Sequence, residues 1–256
     1  MRRKHYFVWM LTVALTAASV MPMTVYAQPA FASGGEVKVV EGDVNGEMQG
    51  GVMSPGAMAI EGSDLKVNGN VSGGLVSDSS TVTVNGNVTG NGIDTVIAKK
   101  GTVTVNGTVT ATDLSEKTGV LASNGSNLTV GDTEVGGKES TGVIAESGSK
   151  ATAGNVKVSG EYMTGTSAYG DSTVHVKGNV TADGNGMTGV SVHDGDKSSL
   201  IVDGDVTATG ENSVGIYGET GIIKIGGDVS GREAVITKGK ADVTVGGSVS
   251  GTLVGI

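Results

Sequence analysis

The chain has no cysteine, three prolines and one tryptophan in 256 residues, and aromatic side chains make up only 3% of it. The missing cysteine excludes disulfides, a thiolate metal centre, a cysteine nucleophile and a lipid-anchored lipoprotein. Both phenylalanines (Phe7, Phe31) and Trp9 lie within the first 32 residues, and beyond them the only aromatics are Tyr162, Tyr169 and Tyr217. So few large rings exclude a thick core built on aromatic packing. Basic residues are outnumbered, 17 against 26 acidic, and no basic run occurs after the first few residues. Nucleic acids and anionic membrane surfaces are therefore poor partners.

The N-terminus gives an address. Arg2, Arg3 and Lys4 precede an apolar run from Tyr6 to about Val20, and small-residue sites follow at Val25-Tyr26-Ala27 and Ala30-Phe31-Ala32. That order predicts a secretory signal peptide over residues 1–32, cleaved after Ala27 or Ala32. No other segment approaches the ~18 consecutive apolar residues of a membrane span, so no membrane association is expected once the leader is removed. Three basic residues and no acidic ones leave with the leader, which brings the net charge to about −12 with histidine neutral. The expected location is extracellular or on the cell surface.

What is abundant is glycine, 45 residues of 256, well above the usual ~7%. The glycines follow a period. The phrase V-x-V-x-G-x-V recurs at Leu65–Val71, Val82–Val88, Val103–Val109, Val174–Val180, Leu200–Val206, Ile223–Val229 and Val243–Val249, with degenerate copies near Val39–Val44, Leu128–Val135 and Val156–Tyr162. The central positions run Gly42, Gly69, Gly86, Gly107, Asp132, Gly160, Gly178, Gly204, Gly227 and Gly247, a mean step of about 23 residues. Between copies lies a second, shorter apolar phrase such as Gly119-Val120-Leu121-Ala122 or Gly142-Val143-Ile144-Ala145.

Two arrangements compete for this pattern. Asn85-Gly86 between alternating valines is a strong hairpin signal. Yet the arm after it is only about three residues long before the next glycine, short for a strand. The dipeptide also becomes Lys177-Gly178 and Asp203-Gly204 elsewhere, and lysine suits a type I′ turn poorly. Stacking explains more: Gly86 bends the chain between two faces of one coil, with Val84 above Val67 and below Val105. The expected fold is all-β, a right-handed parallel β-helix (β-solenoid) of about ten coils, with residues 33–64 an irregular N-terminal coil or cap and residues 65–256 the repeats. Alternating valines then fill a narrow interior with no room for rings. Val84, Val105 and Val176 should point inward, and Thr83, Thr104 and His175 outward. Stacked Asn70 and Asn87 should form a stabilising ladder, whereas stacked Asp205 and Asp228 should repel.

Repeats such as "TVTVNGNVTG", "TVTVNGTVTA" and "LIVDGDVTATG" behind a secretory leader resemble the β-helical passenger domains of bacterial autotransporters and filamentous-haemagglutinin-like adhesins. The resemblance covers about residues 36–256 and is specific for architecture rather than activity. The aromatic-rich membrane barrel of that family is not among these 256 residues. What the resemblance implies is an adhesin-like structural solenoid that binds a surface ligand, a host protein or a glycan, through outer faces and turns, with no cofactor. An open terminal coil adds the expectation of end-to-end self-association.

No residues present themselves as catalytic, cofactor-binding or metal-binding. His175, between Val174 and Val176, reads as a solvated face residue. His193-Asp194-Gly195-Asp196 has the side chains for a metal or acid–base site but sits where a turn needs Asp and Gly. The calcium-binding nonapeptide of other solenoids is missing, and Asp203-Gly204-Asp205 lacks EF-hand spacing. Two other functions have their own requirements. A carbohydrate-active lyase or glycosidase needs paired carboxylates, and sugar contact near Tyr162 and Tyr169 would serve it. Ice binding needs an unbroken hydroxyl face. Ser72, Thr89, Thr110, Thr181, Thr207, Ser230 and Ser250 are its best candidate ladder, and charged neighbours interrupt the others.

Overall fold

A computed structural model describes residues 27–46, 48, 49 and 52–255. The expectation for residues 1–26 lies outside them. The described chain is all-β and winds into about nine turns of a solenoid. Each full turn contributes three strands. In one, Thr102–Val105 lies on face 1, Val109–Ser115 on face 2 and Thr118–Ser123 on face 3. Every strand pairs in parallel with its equivalents one coil away. Face 1 alone is a ten-stranded sheet from Val37–Val40 to Asp242–Val245.

The valine alternation sets the register. Val84 lies against Val67 on one side and Val105 on the other, and all three are buried. Thr83 and Thr104 project outward, as does His175, which is opposite Thr152 and Ile201. The interior is a stack of Val, Leu, Ile and Ala rungs, each Val or Leu contributing about 1.5–3 kcal/mol by leaving water. Two hydroxyls intrude: Thr133 Oγ1 and Thr166 Oγ1 are buried without a hydrogen-bond partner, Thr133 between Val109 and Val156 and Thr166 between Val143 and Val190.

Two coils depart from the repeat alignment. Opposite Asn127–Val130 the next strand is Lys150–Ala153, so Ala151 and Ala153 take the inward positions of valines. The bends there are Gly131 and Gly154, not Asp132 and Gly160, because one residue is missing between strand and bend. The N–H of Gly154 donates to the carbonyl of Gly131 at 2.9 Å, and that of Gly178 to Gly154 at 3.2 Å, which closes the glycine column. Gly160 belongs to a different corner. It has φ +143, and a Cβ there would meet the Gly137 carbonyl.

The corners carry their own ladders. Between faces 1 and 2, Oδ1 of Asn70 accepts the backbone N–H of Asn87 (2.9 Å), and Asn87 Oδ1 that of Thr108 (2.8 Å). The same bond runs from Asn179 N–H to Asn155, Asp205 to Asn179, Asp228 to Asp205 and Ser248 to Asp228. The expected Asp205–Asp228 repulsion is thus corrected: each carboxylate faces a backbone donor rather than its like neighbour. Between faces 3 and 1 buried serines do similar work, Ser149 Oγ accepting from Ser126 N–H and Ser172 Oγ from Ser149 N–H.

Residues 33–64 hold a full coil. Val37–Val40, Val44–Asn45 and Ala57–Ile60 pair with the next coil on faces 1, 2 and 3, and the antiparallel pair Met48–Gln49 and Val52–Met53 is inserted between the last two. One further strand, Ala30–Ala32, pairs with Ala57–Ala59 on face 3. In this coil Lys38 takes the inward column beneath Leu65, and its Nζ donates to the Phe31 carbonyl at 2.9 Å. A charge in that position discourages a further strand from pairing there.

Candidate functional surface

The three outer faces differ in chemistry. Face 1 presents Lys66, Thr83, Thr104, Thr129, Thr152, His175, Ile201 and Lys224 along one column, so its four-threonine run is closed by charge and bulk. His175 Nε2 lies 3.0 Å from both carboxylate oxygens of Asp203. On face 2 the expected hydroxyl ladder is broken, because Glu134 and Lys157 stand between Thr110 and Thr181. Neither face offers the continuous hydroxyl array of an ice-binding plane.

Face 3 is different. Its outward column runs Phe31, Met58, Val76, Ile97, Leu121 and Ile144 through six successive coils, an apolar stripe about 24 Å long at ~4.8 Å per coil. Phe31 is 45% exposed and the other five are half-buried. Beside the stripe lies an open groove of about 230 Å³ whose lining includes Pro55, Val76, Ile93, Asp94, Ile97 and Lys117. Sequence reasoning missed the stripe because one outward leucine inside "GVLA" is indistinguishable from a short buried run.

After Ile144 the column changes abruptly to Ser167, Ser191 and Tyr217. The neighbouring column, one residue beyond the strand ends, runs Glu146, Tyr169, His193, Glu219 and Lys238. The backbone N–H groups of Tyr169, His193, Glu219 and Lys238 each donate into the previous coil and fix the spacing. These side chains form two adjoining groups. Ser191 donates to Ser167 (3.0 Å), and Ser167 Oγ lies 3.2 Å from His193 Nε2. The imidazole meets the Tyr169 ring edge-on at 5.6 Å between centroids, and the Tyr169 hydroxyl donates to Glu146. On the other side the Tyr217 hydroxyl donates to Glu219 Oε1 at 2.6 Å, and Lys238 Nζ lies 5.5 Å from the Tyr217 ring centroid.

Burial, with the hydrogen bond to Glu146 and its charge, pushes the Tyr169 phenol up to about 12. The hydrogen bond to Glu219, followed by desolvation, raises that of Tyr217. Both phenols are thus held protonated and donating. Ser167 and Ser191 are only 5% exposed, so they act as a floor beneath the rings rather than as accessible nucleophiles.

His193 and the residues next to it in sequence part company here. Asp194 (φ +52) and Gly195 (φ +118) turn the corner toward face 1, while His193 joins Ser167 and Tyr169 on face 3. Among the described residues no three His, Asp or Glu side chains are grouped to hold a metal. Tyr162 and Tyr169 also separate: the strand Thr164–Ala168 lies between them, and Tyr162 sits 59% exposed at the opposite corner, its ring against Gly186. The ring that Tyr169 meets is that of His193, one coil on, and Tyr217 follows on face 3 in the next coil. Comparison with protein-family profiles, with curated proteins and with solved structures finds no match for this chain.

Proposed function

We propose that the protein is an exported, adhesin-like structural solenoid that binds through the outer side chains of face 3 and does not turn its ligand over. The observation that carries this reading is the continuous outward column of face 3, where apolar side chains stand in register through six successive coils. Exposed apolar surface on a soluble fold marks an interaction site. The groove beside it is open to solvent, unlike the enclosed pockets in which substrates are normally desolvated. The leader-like N-terminus and the autotransporter-passenger or haemagglutinin-like repeats support surface display, with a host protein or a glycan as the partner and with contact between coil ends as a route to self-association.

The test is saturable binding of the exported protein to intact cells and extracellular matrix, followed alongside mass spectrometry of an added polysaccharide panel. Saturable binding with unchanged polysaccharide masses is expected. Cleavage of a glycan would replace the structural reading with an enzyme, and failure to bind any surface would remove it.

A further inference from the structure

We infer that the Tyr169–His193–Tyr217 patch on face 3 is a binding site for a neutral glycan, a deepening that rests on the outer-face reading above. Three rings from three successive coils are brought to one surface, and each is fixed before any ligand arrives. His193 is held from below by Ser167, Tyr169 by Glu146 and Tyr217 by Glu219. Ordering such side chains is a cost of binding that this network has already met, and tyrosine carries large amphipathic area with few rotatable bonds.

The surrounding charges choose the ligand. Glu146 and Glu219 stand in one column three coils apart, at about 14 Å, with Tyr169 and His193 between them. Each has accepted one phenol and keeps further lone pairs for hydroxyl donors. The two carboxylates, in a chain of net charge −9, repel sialylated or sulfated chains. A quaternary ammonium group is opposed at Tyr217 by the like charge of Lys238, which lies 5.5 Å from the ring centroid. The ligand that remains is uncharged, presents hydroxyls to carboxylates and lays its C–H surface on flat rings. Those are the properties of a short pyranose oligosaccharide. The apolar stripe adjoins the patch at Ile144, so a longer chain with an acyl or aglycone group would continue onto it.

The test is an immobilised panel of neutral, sialylated, sulfated and choline-bearing oligosaccharides probed with the exported full-length protein and three variants. Wild type should retain neutral members alone. Tyr217→Ala and His193→Ala should weaken that binding about tenfold or more, a loss of one decade in Kd or greater, while Tyr162→Ala, at the far corner, should leave it unchanged. Thermal melting of each variant separates loss of the site from loss of the fold, and Tyr217→Phe gives a second readout that keeps the ring but removes its bond to Glu219. Retention of only charged members, or equal loss with Tyr162→Ala, would overturn the site. If no glycan is retained while cell binding persists, the site fails and the outer-face reading stands. If cell binding is lost as well, both fail.

Discussion

Oδ1 of Asp205 accepts the backbone N–H of Asp228, one coil further on, at 2.8 Å. Two like-charged residues thus stack at adjacent corners because each carboxylate is turned onto a peptide donor, and the corner needs an oxygen acceptor there, charged or neutral. Asp205→Asn should therefore leave the melting temperature unchanged or slightly raised. Asp205→Ala should cost about 1 kcal/mol, since it removes an acceptor from an exposed N–H that water then solvates. Thermal denaturation of the two variants checks this.

Thr133 and Thr166 each bury a hydroxyl that finds no partner, in columns where valine is the rule. Valine has nearly the same shape and no polar group to desolvate. Thr133→Val and Thr166→Val should each stabilise the solenoid by about 1 kcal/mol, read as an upward shift in denaturant midpoint. A downward shift would mean that the hydroxyls are satisfied.

The Tyr169 phenol titrates near 10.0 when unfolded and is raised to about 12 in the fold, by desolvation first and then by Glu146. The unfolded chain therefore releases this proton before the folded one does. The stability it contributes is complete below pH 10 and is lost as pH rises from about 10 to 12. Melting temperature should fall across that window, and Tyr169→Phe should make the fall shallower. An identical alkaline profile in the variant would contradict the assignment.

Export should leave a chain that begins at Gln28. Of the two small-residue sites, cleavage after Ala32 would strip away the strand Ala30–Ala32, whose Ala30 and Ala32 are buried against Ala57 and Ala59 and whose Phe31 carbonyl holds Lys38. Cleavage after Ala27 keeps that strand and starts the apolar stripe at Phe31. Mass spectrometry of the secreted N-terminus decides between them, and a chain starting at Ser33 would contradict the prediction.

The coils were legible wherever valine alternated, as in Val82–Val84 and Val103–Val105, because a period of two fixes which side chains face a narrow core. The pattern is obscured at Ala151 and Ala153, where alanine replaces valine and the bend is one residue shorter, so V-x-V-x-G-x-V aligns on Val156–Tyr162 instead. The same shortened bend places Glu134 and Lys157 in the hydroxyl ladder, out of step with the repeat phrase. The strand at Ala30–Ala32 was concealed by its resemblance to a cleavage site. The patch was unreadable as a motif because its members lie a coil apart, Tyr169 and His193 separated by 24 residues and His193 and Glu219 by 26. Searching for polar and aromatic residues at one-coil spacing would have found it.

The central claim is that one face does the binding. It is tested most directly by comparing binding of the purified protein to intact cells after Ile97→Asp with Leu121→Asp on face 3, and after Thr104→Asp with Thr129→Asp on face 1. All four side chains project outward, so both double variants should keep the fold and add the same two charges. Loss of at least about tenfold in affinity for the face 3 variant alone is the predicted result. Equal affinity in the two variants, at equal melting temperature, would contradict it.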